Sequence, residues 1–123
     1  MNAPSLRLLV IEHQAGLRQL VRRWVEGLDS VVCECASAAE ALRLGVELRP
    51  DWVLVDAQLK PLNGLAALRE LKTRFAGARF VLVSDFDDDA LRAAARQAGA
   101  GHFLLKEHLS ELPALLAPGG TAD

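Results

Sequence analysis

The chain has 123 residues, of which 51% are hydrophobic and 24% charged, and its formal net charge is -2. That length suits one domain with a real core. The charge balance argues against nucleic acid as a partner, because no basic stripe is available to neutralise phosphates. No apolar run approaches the roughly 20 residues that a membrane-spanning helix needs.

Residues 1–5 lack the basic and apolar regions of a secretory signal. The expectation is a cytoplasmic protein with no membrane partner, a single domain over 1–118 and a short tail at 119–123. The first apolar run, 6–11, stops at Glu12 and His13. Leu17, Leu20, Val21, Trp24, Val25 and Leu28 then fall on one helical stripe. A second run, 31–36, carries Cys33 and Cys35, two residues apart and so on one face of a strand. With no second pair of soft ligands in the chain they read as small packed residues, not a metal site.

Ser37 and Glu40 have capping-box spacing. They open a second helix that presents Leu42, Val46 and Leu48 before Pro50 stops it. A third run, 52–55, precedes a helix over 64–75 with Leu65, Leu68, Leu71 and Phe75 apolar, closed by Gly77. A fourth run, 80–83, precedes a helix over 87–98, with three aspartates at its positive end and Gly99 after it. A fifth run, 103–105, leads to a short helix over 110–117, capped by Ser110 with Pro113 in its first turn. Five apolar runs alternating with five helices predict an α/β fold on a parallel sheet with helices on both faces.

In such sheets ligands bind beyond the carboxyl ends of the strands. Glu12 and His13, Asp56, Ser84 and Asp85, and Lys106 stand at those ends. One such residue is a solvated strand end; the set together describes phosphoryl transfer to a carboxylate. Asp56 would attack phosphorus, with Lys106, the Ser84 hydroxyl and a divalent cation on acidic residues neutralising charge.

Those residues resemble the response-regulator receiver domains of bacterial two-component signalling, the CheY-like family, over essentially the whole chain. The stretch from Asp56 to Gly64, with Leu59 and Pro61 inside it, and Phe103 three residues before Lys106 resemble that family's motifs. The resemblance implies a doubly wound, flavodoxin-like sheet of order 2-1-3-4-5. It implies Asp56 as phospho-acceptor, Lys106 and Ser84 in the site, and Ser84 and Phe103 as switch residues. Gln58 and Asp85 would tune phosphoryl lifetime. A weakly held Mg2+ would sit on Glu12, Asp56 and the Gln58 backbone, with His13 in place of the usual carboxylate. The partners implied are a histidine kinase or phosphotransfer protein and a downstream effector protein. The reading is of a stand-alone receiver, not an enzyme beyond its own phosphorylation and dephosphorylation. A homodimer is left open.

His13 departs from the pattern. Magnesium prefers oxygen, so a neutral imidazole is a poor ligand for it. One negative charge fewer facing a divalent ion removes on the order of 8 kcal/mol of gross Coulomb energy at about 4 Å and an effective dielectric of about 20, before relaxation. Asp85 either restores that charge, repels phosphate or simply belongs to the acidic helix start. A protonated His13 would itself act as a local cation without metal. The alternative reading is a pseudo-receiver, the same fold serving as an interaction module with little or no Mg-dependent phosphorylation. A haloacid-dehalogenase-like phosphatase fits less well, because Glu12-His13 is not its Asp-x-Asp. No Gly-x-Gly-x-x-Gly follows the first run for a dinucleotide.

Overall fold

Short runs of Leu, Val and Ile, apolar on both sides, are sequences for strands covered on both faces. In a computed structural model describing residues 6–117 they form β1 (Leu6–Ile11), β2 (Ser30–Cys35), β3 (Trp52–Asp56), β4 (Arg79–Ser84) and β5 (His102–Leu105). All neighbours pair in parallel, in the order β2-β1-β3-β4-β5. Between them run α1 (Ala15–Val25), α2 (Ala38–Leu48), α3 (Gly64–Arg74) and α4 (Asp89–Ala98). A 3-10 segment, Lys106–Glu111, leads from β5 into α5 (Leu112–Leu116). The expected tail at 119–123, and Pro118 before it, lie outside the described residues.

The period of two along each strand divides the core between the two faces. Leu9, Ile11, Val53, Val55, Phe80 and Leu82 face α2, α3 and α4, with Cys35 buried and Cys33 packed among them. Leu8, Val10, Leu54, Val81 and Val83 face α1 and α5, against Val21, Val25, Leu112 and Leu116. Both cysteines are free thiols on one face, as their spacing predicts.

Several boundaries differ from the sequence reading. β4 extends through Ser84, so the serine closes the strand instead of following it. α1 ends at Val25 and buries Val21 and Val25, with Leu17 and Leu28 packed alongside, while Leu20 and Trp24 stay exposed. A helix lying on a sheet covers only the arc that faces it, and the apolar stripe is wider than that arc. In α2 the buried positions are Ala38, Ala41 and Gly45, and Val46 is exposed. Gly45 has no side chain because the Phe75 ring lies against it, where a Cβ would collide. The Ser37 cap forms, its Oγ accepting from Glu40 N–H at 3.3 Å, but Glu40 reaches back to the N–H of Ala36.

α3 is capped by Asn63, whose Oδ1 accepts from Ala66 N–H at 3.0 Å, and its C-cap is Phe75 in place of Gly77. α4 starts at Asp89 because Asp88 caps it, accepting from the N–H groups of Ala90 and Leu91 at 2.8 and 3.2 Å. Gly99 closes that helix at φ 116°, a left-handed position that glycine adopts without penalty. Ser110 caps nothing. The chain turns into the 3-10 segment directly after β5, and the α-helix begins only at Leu112, with Pro113 in its first turn as expected.

Candidate functional site

Four loops at the carboxyl edge of the sheet carry the polar side chains. β3 ends in Asp56, which is 1% exposed although charged. β1 hands over to Glu12, 3% exposed, and to His13, on the bend before α1. Lys106 opens the 3-10 segment after β5.

The Asp56 carboxylate is held on both oxygens. Its Oδ1 accepts from the Gln58 N–H at 2.9 Å and lies 3.0 Å from Lys106 Nζ. Its Oδ2 lies 2.7 Å from His13 Nδ1. Lys106 Nζ also faces Glu12 Oε1 at 3.6 Å and Asp85 Oδ2 at 3.7 Å. The ammonium is held by charge more than by directional bonds, since the Glu12 and Asp85 oxygens lie beyond hydrogen-bond distance and the Asp56 contact lacks hydrogen-bond geometry. Glu12 Oε2 accepts from Gln14 N–H at 3.2 Å and lies 3.5 Å from His13 Nδ1.

Burial and the neighbouring Asp56 charge push the Glu12 carboxyl up to about 7, against the Gln14 N–H and Lys106. Asp56 goes the other way. Burial would raise it, but the Gln58 N–H, Lys106 and His13 together hold it below its ordinary value. Burial likewise works against the Lys106 charge, and Asp56, Glu12 and Asp85 more than restore it, so its pKa is raised. The site therefore presents an ionised, buried Asp56 beside a buried ammonium, with a carboxyl next to it that shares a proton with solvent near neutral pH.

Ser84 does not bond Asp56. Its Oγ accepts from Gln58 Nε2 at 3.2 Å and from Phe86 N–H at 3.0 Å. Gln58 Oε1 accepts from Asp85 N–H at 3.1 Å. Gln58 thus ties the loop after β3 to the loop after β4. Asp85 turns its carboxylate to Lys106 and is not among the grouped metal-capable atoms, which come from Glu12, His13 and Asp56 and lie within 4.8 Å of one another. Phe103 lies apart from this cluster, half-buried, with the Arg92 guanidinium 4.4 Å from its ring centroid. Arg92, which is also ion-paired to Asp87 at 2.9 Å, was not singled out by the sequence reading. A basic residue on α4 five positions after an acidic one was the available signal.

A buried carboxylate at the centre strand's end, a lysine 3.0 Å away and a sheet of order 2-1-3-4-5 define a receiver-like fold. A model of the response regulator receiver domain matches residues 8–117, and the chain belongs to that family. It is 31% identical over 101 residues to the chemotaxis protein CheY of Bacillus subtilis, covering 81% of this chain and 84% of that protein. It is 27% identical over 103 residues to the transcriptional regulatory protein LiaR of Bacillus subtilis, covering 82% of this chain but 49% of that one. The response regulator domain of Thermotoga maritima CheB superposes with a TM-score of 0.79 at 25% identity, covering 96% of this chain and 98% of that domain. The protein is thus a CheY-like receiver domain of the two-component type. That assignment, and not a dehalogenase-like phosphatase, accounts for its Asp, Ser and Lys set. Among the described residues no helix is long and apolar enough to cross a membrane.

Proposed function

We propose that Asp56 accepts a phosphoryl group from a histidine kinase or phosphotransfer protein and that the modified domain signals through protein contacts. The observation that carries this reading is the Lys106 ammonium 3.0 Å from an ionised, buried Asp56 carboxylate. An Asp56 oxygen forms the new O–P bond as the P–N bond to the donor imidazole breaks. The leaving nitrogen takes the electron pair and is protonated by solvent. Lys106 supports the charge that builds on the phosphoryl oxygens. Ser84 releases Gln58 to bond the phosphoryl group, and Phe103 reports that change to the α4–β5 face. Receivers generally use Mg2+, but the Glu12, His13 and Asp56 donor set does not fit that ion well, because one of its three ligand atoms is an imidazole nitrogen. One observation favours the pseudo-receiver reading: His13 already occupies Asp56 Oδ2.

The test is incorporation from a small phosphodonor such as acetyl phosphate, followed by intact mass. Wild type should gain one phosphoryl group and Asp56→Asn none. A wild type that stays unmodified with every divalent ion tried would establish the interaction module instead.

A further inference from the structure

We infer that the Glu12, His13 and Asp56 group is a nitrogen–oxygen site for a borderline divalent cation of the nickel, cobalt or zinc kind, and not a magnesium site. The inference deepens the receiver reading, since it concerns the same pocket, but it does not depend on phosphoryl transfer taking place.

The oxygens of the two buried carboxylates divide into two sets. Lys106 faces Asp56 Oδ1 and Glu12 Oε1, at 3.0 and 3.6 Å. His13 Nδ1 faces the other two, Asp56 Oδ2 and Glu12 Oε2, at 2.7 and 3.5 Å. One nitrogen and two oxygens therefore form a triangle on the side of the pocket away from the ammonium. Two ligand atoms each about 2.1 Å from one ion and at right angles to each other are about 3.0 Å apart. The two His13 distances straddle that value, and one ligand atom from each of the three residues lies within 4.8 Å of the others, so all three are within reach of a single ion. The carboxylates come from rigid strand ends and are 3% and 1% exposed as residues, whereas the His13 side chain is 45% exposed. The exposed imidazole marks the mouth of the site, where further coordination positions meet solvent.

Ligand chemistry selects the ion. Imidazole suits nickel, cobalt, copper and zinc, while magnesium takes oxygen and keeps its waters. The lysine faces the other oxygen of each carboxylate, and Glu12 Oε2 also accepts from Gln14 N–H at 3.2 Å, so the nitrogen of His13 is what sets this pocket apart from an all-oxygen magnesium site. A nickel-class ion gains the nitrogen.

Calorimetric titration of the full 123-residue chain with NiCl2 and with MgCl2 tests this, on wild type, His13→Asp, Asp56→Asn and His108→Gln. Any nitrogen–oxygen site prefers nickel to magnesium, so the informative quantity is the ratio of the two affinities, compared across variants. In His13→Asp that ratio should fall by at least about tenfold, with magnesium binding strengthened and nickel binding weakened. Asp56→Asn should weaken nickel binding. His108→Gln, which alters a separate exposed imidazole beside Glu111, should leave the ratio unchanged. A ratio equal in wild type and His13→Asp, a drop confined to His108→Gln, or a wild type that binds neither ion would overturn the inference. A chain that keeps the nickel preference yet takes no phosphoryl group would sink the proposed function and leave this site standing.

Discussion

Glu12 gives the site a pH dependence near neutrality. Its carboxyl is raised to about 7, chiefly by burial, so between the ordinary carboxylate range and neutrality the folded chain holds a proton that the unfolded chain has lost. Folded stability must then fall as pH rises through that window. Glu12→Gln removes the cost, keeps an acceptor for Gln14 N–H, and should be the more stable protein at pH 8 by on the order of 2 kcal/mol, with little difference at pH 5. Urea denaturation at the two values decides it; a variant that is weaker at pH 8 would mean that Lys106 fully compensates the Glu12 charge. Asp56, held below its ordinary value, loses its contribution only at more acid pH, and Lys106 titrates above the window, so neither obscures the test. The lysine invites a second measurement. Lys106→Met leaves two buried carboxylates without their cation and should cost about 3 kcal/mol at pH 8. Adding Asp56→Asn should recover at least about 1 kcal/mol of that loss; strictly additive losses would show that the two groups are not coupled. Strand ends made Asp56, Lys106 and Glu12 legible in the sequence, because the end of a buried strand fixes where its last side chain goes. His13 beside Glu12 and Asp56 was legible from its place after β1, and the structure puts it there; which oxygen the ring meets was not, since the bend between β1 and α1 aims it and no periodicity describes a bend.

At the scale of elements, α3 bears most directly on the acceptor. Its first residue, Gly64, sits so close to the end of β3 that a Cβ there would strike the Asp56 carbonyl oxygen and Ala57 Cα. Backbone cannot yield as a side-chain tip can, so Gly64→Ala must shift the loop that carries Asp56 and Gln58. The expected cost is about 1–3 kcal/mol, with slower phosphorylation of Asp56. Gly77→Ala, which meets nothing within 4 Å, is the matched control and should change neither quantity. A Gly64→Ala protein of unaltered melting temperature would show that the contact relaxes freely. Helix caps written in short polar side chains, Ser37 and Asp88, bond the first turn as their chemistry requires, and Asn63 does the same without having been singled out. Helix faces were read less well. Leu20, Trp24 and Val46 look like core residues by spacing and are exposed, while Ala41 and Gly45 are buried. Hydrophobicity ranks side chains by transfer energy, and a close helix approach selects them by size. The 3-10 segment before α5 was missed for a related reason: Ser110 suits a helix start, and the turn is imposed by where β5 ends.

For the molecule as a whole, alternation of strands and helices was enough to fix a parallel sheet with two covered faces, but not its strand order. Periodicity is a property of one segment, and which strands are neighbours is a property of pairs; the order 2-1-3-4-5 came from the likeness of motifs and agrees with the observed pairing. That order puts β1, β3 and β4 inside and β2 and β5 at the edges. Interior strands are nearly all buried, whereas most of β2 is partly accessible and Val31 is 43% exposed. Among the described residues β2 pairs with β1 alone, so the other row of its backbone groups joins no second strand, although Val32 O accepts from Arg22 Nη2 at 3.2 Å. Amides of β1, β3 and β4 should therefore exchange only through global unfolding, and those of β2 that are bonded to β1 through cheaper local opening, at least about tenfold faster. Hydrogen exchange followed by mass spectrometry on peptides spanning each strand measures this at micromolar protein. Protection of β2 equal to that of β3 at every concentration would contradict the argument from burial. Protection that rises with concentration would mean instead that a second copy covers the open edge, which separates a weak monomer edge from a self-associating one.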